Sequence, residues 1–105
     1  MGKEDLESKI NTSKDNGKVV ILDFFTDWCQ PCKTLSKVLD ELKSENENLE
    51  VVKIDAGENT DVAIEWKVRS VPTVFLYSKK GEKKFNGSTS KSFIQSLIDE
   101  LRWYR

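Results

Sequence analysis

Seven residues, Val19-Val20-Ile21-Leu22-Asp23-Phe24-Phe25, form an apolar run broken by a single acid. A strand with one wet face alternates apolar and polar residues; this run does not, so both of its faces must be covered. The pattern predicts a central parallel strand with helices above and below it. Downstream, Leu35, Val38, Leu39 and Leu42 fall at i, i+3, i+4 and i+7, one face of a helix running to about Glu45. Leu49 to Asp55 (LEVVKID) reads as a second strand. The order strand, helix, strand favours a parallel pair with a right-handed crossover.

The flanking segments complete a layered domain. From Glu4 to about Lys14 the sequence is polar with Leu6 and Ile10 four apart, a short surface helix, and Asp15-Asn16-Gly17 is a turn. Asn59 or Thr60 caps a short helix through Trp66, with Asp61 near its positive end. Val71-Pro72-Thr73 opens a third strand, Val74 to Tyr77, and Lys80-Gly81 turns into a fourth, Lys83 to Asn86, which Gly87 breaks. A last helix starts near Ser90 and is expected to bury Phe93, Ile94, Leu97, Ile98 and Leu101; Ser92 and Gln95 also fit a capping box one turn in. Four strands with helices on both faces make a mixed α/β sandwich. A chain of 105 residues is enough for one domain, 1–105, and too short for two.

Charge and composition exclude several classes of function. The net charge of −1 gives no basic field for nucleic acid and no polybasic face for a membrane. No apolar run approaches the roughly 20 residues of a membrane-spanning helix. The start, MGKEDLESKI, is charged and lacks a signal-peptide core, so a reducing cytoplasm is the expected compartment. Leu6 stands where a myristoylation signal wants Ser or Thr, and Asn11-Thr12-Ser13 and Asn86-Gly87-Ser88 read as chance glycosylation triplets. The chain has no histidine, which excludes Ser-His-Asp and Cys-His nucleophiles and every zinc site with a histidine ligand. A four-thiolate zinc site needs two more cysteines than one chain owns. No bound cofactor is implied, and a monomer is expected.

The only two cysteines lie in Asp27-Trp28-Cys29-Gln30-Pro31-Cys32-Lys33, between the central strand and the helix after it. At a helix start, free N–H groups and the macrodipole favour a thiolate and lower a thiol pKa from about 8.5 toward neutrality. Pro31 fits the first turn, where its missing N–H costs nothing, and stiffens the loop. Cys29 is then the attacking thiolate and Cys32 the resolving thiol of a dithiol–disulfide exchange. Two other readings are a structural disulfide and half of a metal or iron–sulfur site shared across a dimer. The first closes too short a loop to constrain the unfolded chain much. A C-x-x-C beside a strand–helix–strand pattern favours redox chemistry.

The segment DFFTDWCQPCK resembles the active-site segment of the thioredoxin family, whose usual form is W-C-G-P-C-K. Lys53-Ile54-Asp55, Val68-Arg69-Ser70-Val71-Pro72-Thr73, Gly81, and Gly87 followed by Ser90-Lys91 recur in the family's order and spacing, from about Gly17 to Leu101. The resemblance implies the thioredoxin fold, an α/β domain with a central mixed sheet of four to five strands flanked by helices on both faces. It implies a buried Asp23 that takes the proton from Cys32, and Lys53 near it, opposing the effect of burial. It implies a cis peptide before Pro72, with Val71 offering backbone groups to an extended substrate. Trp28, Gln30, Pro31, Val71, Pro72 and Gly87, with Ser88, would form the docking surface. The plainer alternatives are an exposed strand-end aspartate, a surface lysine, a core tryptophan, a trans proline and a turn glycine. Trp66 and Trp103 read as packing residues, Trp103 with a partner contact as the alternative.

Three positions depart from the family pattern. Gln30 replaces the usual glycine, which leaves the redox potential and the reductase preference open. Phe25 replaces a frequent second tryptophan, and Lys37 replaces a helix-kinking proline, so the Cys32 helix is expected to run straighter. The segment before Gly17 is short, so the family's first strand is expected to be absent or reduced to residues around Lys3 to Leu6. The expected partners are a thioredoxin reductase and protein disulfides. The alternative functions are a disulfide isomerase or oxidase domain, a glutaredoxin, and a non-catalytic binding module of the same fold. Without a histidine between the cysteines to stabilise the thiolate further, a reducing role is favoured.

Overall fold

The computed structural model describes residues 2–87 and 89–102, so Ser88 and Trp103 lie outside the described residues. Eight elements follow one another: α1 (Lys3–Asp15), β1 (Val19–Phe25), α2 (Gln30–Glu45), β2 (Leu49–Asp55), α3 (Thr60–Glu65), β3 (Thr73–Ser78), β4 (Gly81–Asn86) and α4 (Lys91–Leu101). The sheet has the order β2-β1-β3-β4. β1 runs parallel to β2 and antiparallel to β3, and β3 and β4 form a hairpin.

β1 is covered on both faces, as its lack of alternation requires. Val19 and Ile21 pack with Leu35, Leu39 and Leu42 of α2 and with Ile94, Leu97, Ile98 and Leu101 of α4. Val20, Leu22 and Phe24 pack on the other side with Leu6 and Ile10 of α1 and Val62 and Ala63 of α3. Asp23 shares the parity of Val19 and Ile21 and therefore faces the α2 layer. α2 is one unbroken helix through Lys37. α1 ends in a left-handed glycine cap: Gly17 has φ +79°, its N–H donates to the Lys14 carbonyl, and that of Lys18 donates to the Ser13 carbonyl (both 2.9 Å).

Residues 3–6 belong to α1, so of the two alternatives the first strand is absent, and the sheet is four-stranded among the described residues. Other expectations need correction. β4 begins at Gly81, two residues before the expected start, and the turn lies at Lys79 and Lys80. Phe93 is 44% exposed rather than buried. Ile94, Leu97, Ile98 and Leu101 already complete the buried stripe of α4, and Phe93 lies about 100° around from it. It rests instead edge-on against Phe85 of β4, with ring centroids 6.1 Å apart. Ser90 caps α4, its Oγ accepting from Phe93 N at 3.1 Å, while Gln95 exchanges amide hydrogen bonds with Asn46 at 2.9 and 3.0 Å. Trp66 packs near Phe24 and donates from Nε1 to the Tyr77 hydroxyl at 2.9 Å.

Leu6 is fully buried under β1, which makes α1 part of the core. Leu6→Ala is expected to lower stability by about 2–5 kcal/mol, read as a reduced urea midpoint at an unchanged slope.

Candidate active site

β1 delivers the chain to the front of α2, and the sulfurs sit at that junction. Cys29 is the N-cap residue of α2, with extended backbone (φ −94°, ψ 106°) and Pro31 in the first turn. Its Sγ accepts the N–H of Cys32 at 3.2 Å. That amide is one of the donors a helix start leaves without an internal partner. The two cysteines are joined as a disulfide, with their Cα atoms 5.3 Å apart. Both are buried, Cys32 more completely than Cys29. A helix start of this kind, through its free N–H groups and dipole, favours a thiolate at the N-cap position.

Asp23, on the face of β1 that α2 covers, is fully buried, and neither carboxyl oxygen has a hydrogen-bond partner among the described residues. Buried polar atoms are almost always paired, so this group is an exception that calls for a physical account. Burial disfavours its charged form and pushes its pKa from the ordinary 3.8 to about 6; Lys53 opposes the rise and Asp40 adds to it. Lys53 stands opposite Asp23 in the parallel register of β1 and β2. Its ammonium, however, is bonded to α2: Nζ lies 2.6 Å from Asp40 Oδ1 and 2.7 Å from Ser36 Oγ. A cleft of about 150 Å3 opens beside Cys32, lined by Phe25, Thr26, Asp27, Lys33, Ser36 and Lys53.

On the other rim Trp28 is 81% exposed, and Gln30 and Pro31 are exposed with it. Trp28 and Val71 share a groove of about 550 Å3 with Ile64, Val68 and Ala63. Ile64 is 74% exposed, an open apolar surface at the edge of this groove. The Val71–Pro72 peptide is cis. Its loop is braced by Thr73, whose Oγ1 donates to the Ser70 carbonyl at 2.6 Å and accepts from Asn86 Nδ2 at 2.9 Å. Gly87, at φ +77°, donates its N–H to the Pro72 carbonyl at 2.9 Å, which ties it to the same loop.

Cys32, bonded to Cys29, thus lines one cleft with Lys53, Asp23 stands opposite Lys53 in the sheet, and Trp28 and Val71 border a groove alongside, next to the cis bond to Pro72. Ser36, Asp40 and Ile64 were not singled out by their sequence, and Val68 entered only within the segment that carries the family resemblance. Ser36 and Asp40 had one signal: they follow Cys32 at steps of four, the spacing of one helix flank. Among the described residues, no group of three or more His, Cys, Asp or Glu is placed to hold a metal ion, and no helix is long and apolar enough to cross a membrane.

Comparison with known proteins bears on this geometry. The family model described as Thioredoxin matches residues 1–100. The chain is 36% identical over 89 residues to the thioredoxin of Pyropia yezoensis, covering 82% of each protein. It is 40% identical over 80 residues to Thioredoxin-T of Drosophila melanogaster, covering 75% of this chain and 49% of that longer protein. Its fold superimposes on the X-ray structure of Fasciola hepatica thioredoxin with a TM-score of 0.82 at 28% identity, covering 94% of this chain and 93% of that one.

Asp23 makes stability depend on pH in a defined direction. Below pH 3.8 the carboxyl is protonated in both folded and unfolded chains. As pH rises toward about 6, the unfolded chain releases a proton that the folded one keeps, and stability falls. Above about 6 the loss is complete, about 3 kcal/mol at roughly 1.4 kcal/mol for each pH unit. Asp23→Asn in the oxidised protein is therefore expected to be more stable than the parent at pH 8 by about 2–3 kcal/mol and no more stable at pH 4, as urea unfolding across that range would record.

Proposed function

The chain belongs to the thioredoxin family, and from that premise we propose that it serves as a general protein-disulfide reductant, taking electrons from a reductase and passing them to exposed disulfides of other proteins. It is a thiol–disulfide oxidoreductase acting by dithiol–disulfide exchange through its paired cysteines. The observation that carries the reading is the Cys29 sulfur at the helix front, accepting the N–H of Cys32.

Starting from the dithiol, the Cys29 thiolate attacks one sulfur of a substrate disulfide. The S–S bond breaks, a mixed disulfide forms, and the departing substrate thiolate takes up a proton. Asp23, with a midpoint near 6, is ionised at neutral pH and accepts the thiol proton of Cys32. The Cys32 thiolate attacks Cys29 Sγ, the second substrate sulfur leaves and is protonated, and Cys29–Cys32 remains as the disulfide. Two electrons have moved to the substrate, which is now a dithiol. A reductase, itself carrying the flavin and nicotinamide, returns two electrons and two protons to this chain. Such a cycle suits a reducing compartment, the cytoplasm.

Trp28, Pro31 and Val71 give the substrate an apolar platform, with the backbone of Val71 available to an extended segment. Selection by such a surface favours flexible, exposed disulfides by shape rather than by charge. The departing position is Gln30: a neutral amide at the helix front leaves the thiolate-stabilising N–H groups in place.

A Cys32→Ser variant is expected to accumulate a mixed disulfide through Cys29 and to stop cycling in an insulin-reduction assay, while Cys29→Ser forms no adduct. Alkylation rates against pH are expected to give the Cys29 thiol a midpoint below the usual value of about 8.5. A Cys29 that titrates like a free cysteine, with Cys32 alkylated faster, would refute the assignment. Trp28→Ala is expected to lower kcat/KM for a protein disulfide by about tenfold while leaving the Cys29 midpoint in place.

A further inference from the structure

Lys53 is aligned to neutralise Asp23 and is drawn elsewhere. The parallel register sets it opposite Asp23 on the face that α2 covers. An ammonium free to turn inward would meet a carboxyl with two unpartnered oxygens. Its hydrogen bonds instead go to Ser36 Oγ at 2.7 Å and Asp40 Oδ1 at 2.6 Å. Ser36 and Lys53 line the cleft that opens beside Cys32. We propose that Ser36 and Asp40 are positioning residues, which hold the Lys53 ammonium at the rim of this cleft and off the Asp23 carboxyl, leaving that carboxyl free to exchange a proton with Cys32. The inference rests on the reading of Asp23 as the proton acceptor.

The physical argument is a competition. A cation in contact with a carboxylate lowers its pKa by roughly 1–3 units and makes it a poorer base near neutrality. Held on α2, Lys53 opposes the effect of burial from a distance and does not cancel it. The charged groups acting on Asp23 are Lys53 from β2 and Asp40 from α2. β3 places the apolar Val74 opposite it, α4 contributes apolar residues to that layer, and Asp27 and Lys33 line the neighbouring cleft. The Lys53–Asp40 pair is itself too exposed to contribute much stability, with the Asp40 side chain 65% exposed. Its loss therefore shows in the titration of Asp23, and in unfolding above about pH 6 only through that titration.

The test is a carbon-detected NMR titration of the Asp23 carboxyl in the oxidised protein, where neither cysteine titrates. Ser36→Ala changes no charge; it is expected to lower the Asp23 midpoint by about half a pH unit, because an ammonium held by Asp40 alone turns inward more often. Asp40→Asn is expected to lower it further, since it also removes a direct repulsion, and Lys53→Met to raise it. In the Lys53→Met background the Ser36→Ala shift is expected to vanish and the Asp40→Asn shift to shrink. In the reduced protein, the acidic limb of the disulfide-reduction rate is expected to move with the same midpoints. A midpoint unmoved by Ser36→Ala, or moved equally with and without Lys53, overturns the tether. The parent reading fails separately: an Asp23→Asn protein whose rate profile against pH is unchanged would show that Asp23 accepts no proton, whatever holds Lys53.

Discussion

A single amide hydrogen bond, from Cys32 N to Cys29 Sγ, is the interaction on which the site depends. It exists because a helix begins at Gln30, and the helix begins there because β1 ends at Phe25 and Pro31 suits a first turn. The apolar face of α2 holds that start against the sheet through Leu35, Leu39 and Leu42. The same packing that stabilises the domain therefore points a helix-start N–H at a sulfur.

The opposite requirement meets at Asp23. A charge in the middle of a covered strand works against folding at neutral pH, and nothing in the surrounding layer satisfies its oxygens. Local conflicts of this kind concentrate where a protein does chemistry, and two hydrophobic clusters on either side of β1 hold the strand in place despite it. The proton acceptor and the destabilising residue are one group.

Much of this was legible beforehand, for identifiable reasons. The runs VVILDFF and LEVVKID are long and apolar enough to fix two neighbouring strands, and Leu6 and Ile10, four apart, mark α1 as helix. Phe93 was misplaced because apolar character was counted without its angle around α4. Ile64 escaped notice because α3 has six residues, too few for a period to emerge. The partners of Lys53 lie 17 and 13 residues away, and a polar position on a helix flank does not tell what it faces across a sheet. The cis peptide before Pro72 was expected from the family resemblance, since the sequence itself shows only Val-Pro at a strand start.

The sheet order places β2 at an outer margin, with no described strand beyond it. Marginal strands open at lower free energy than those paired on both sides, since half of their backbone groups face outward. Lys53 thus rides on the marginal strand, while Asp23 sits on the most enclosed one. The buried acid and the cation that opposes its burial therefore belong to strands of unequal enclosure, and any opening of the margin takes the cation away from the acid.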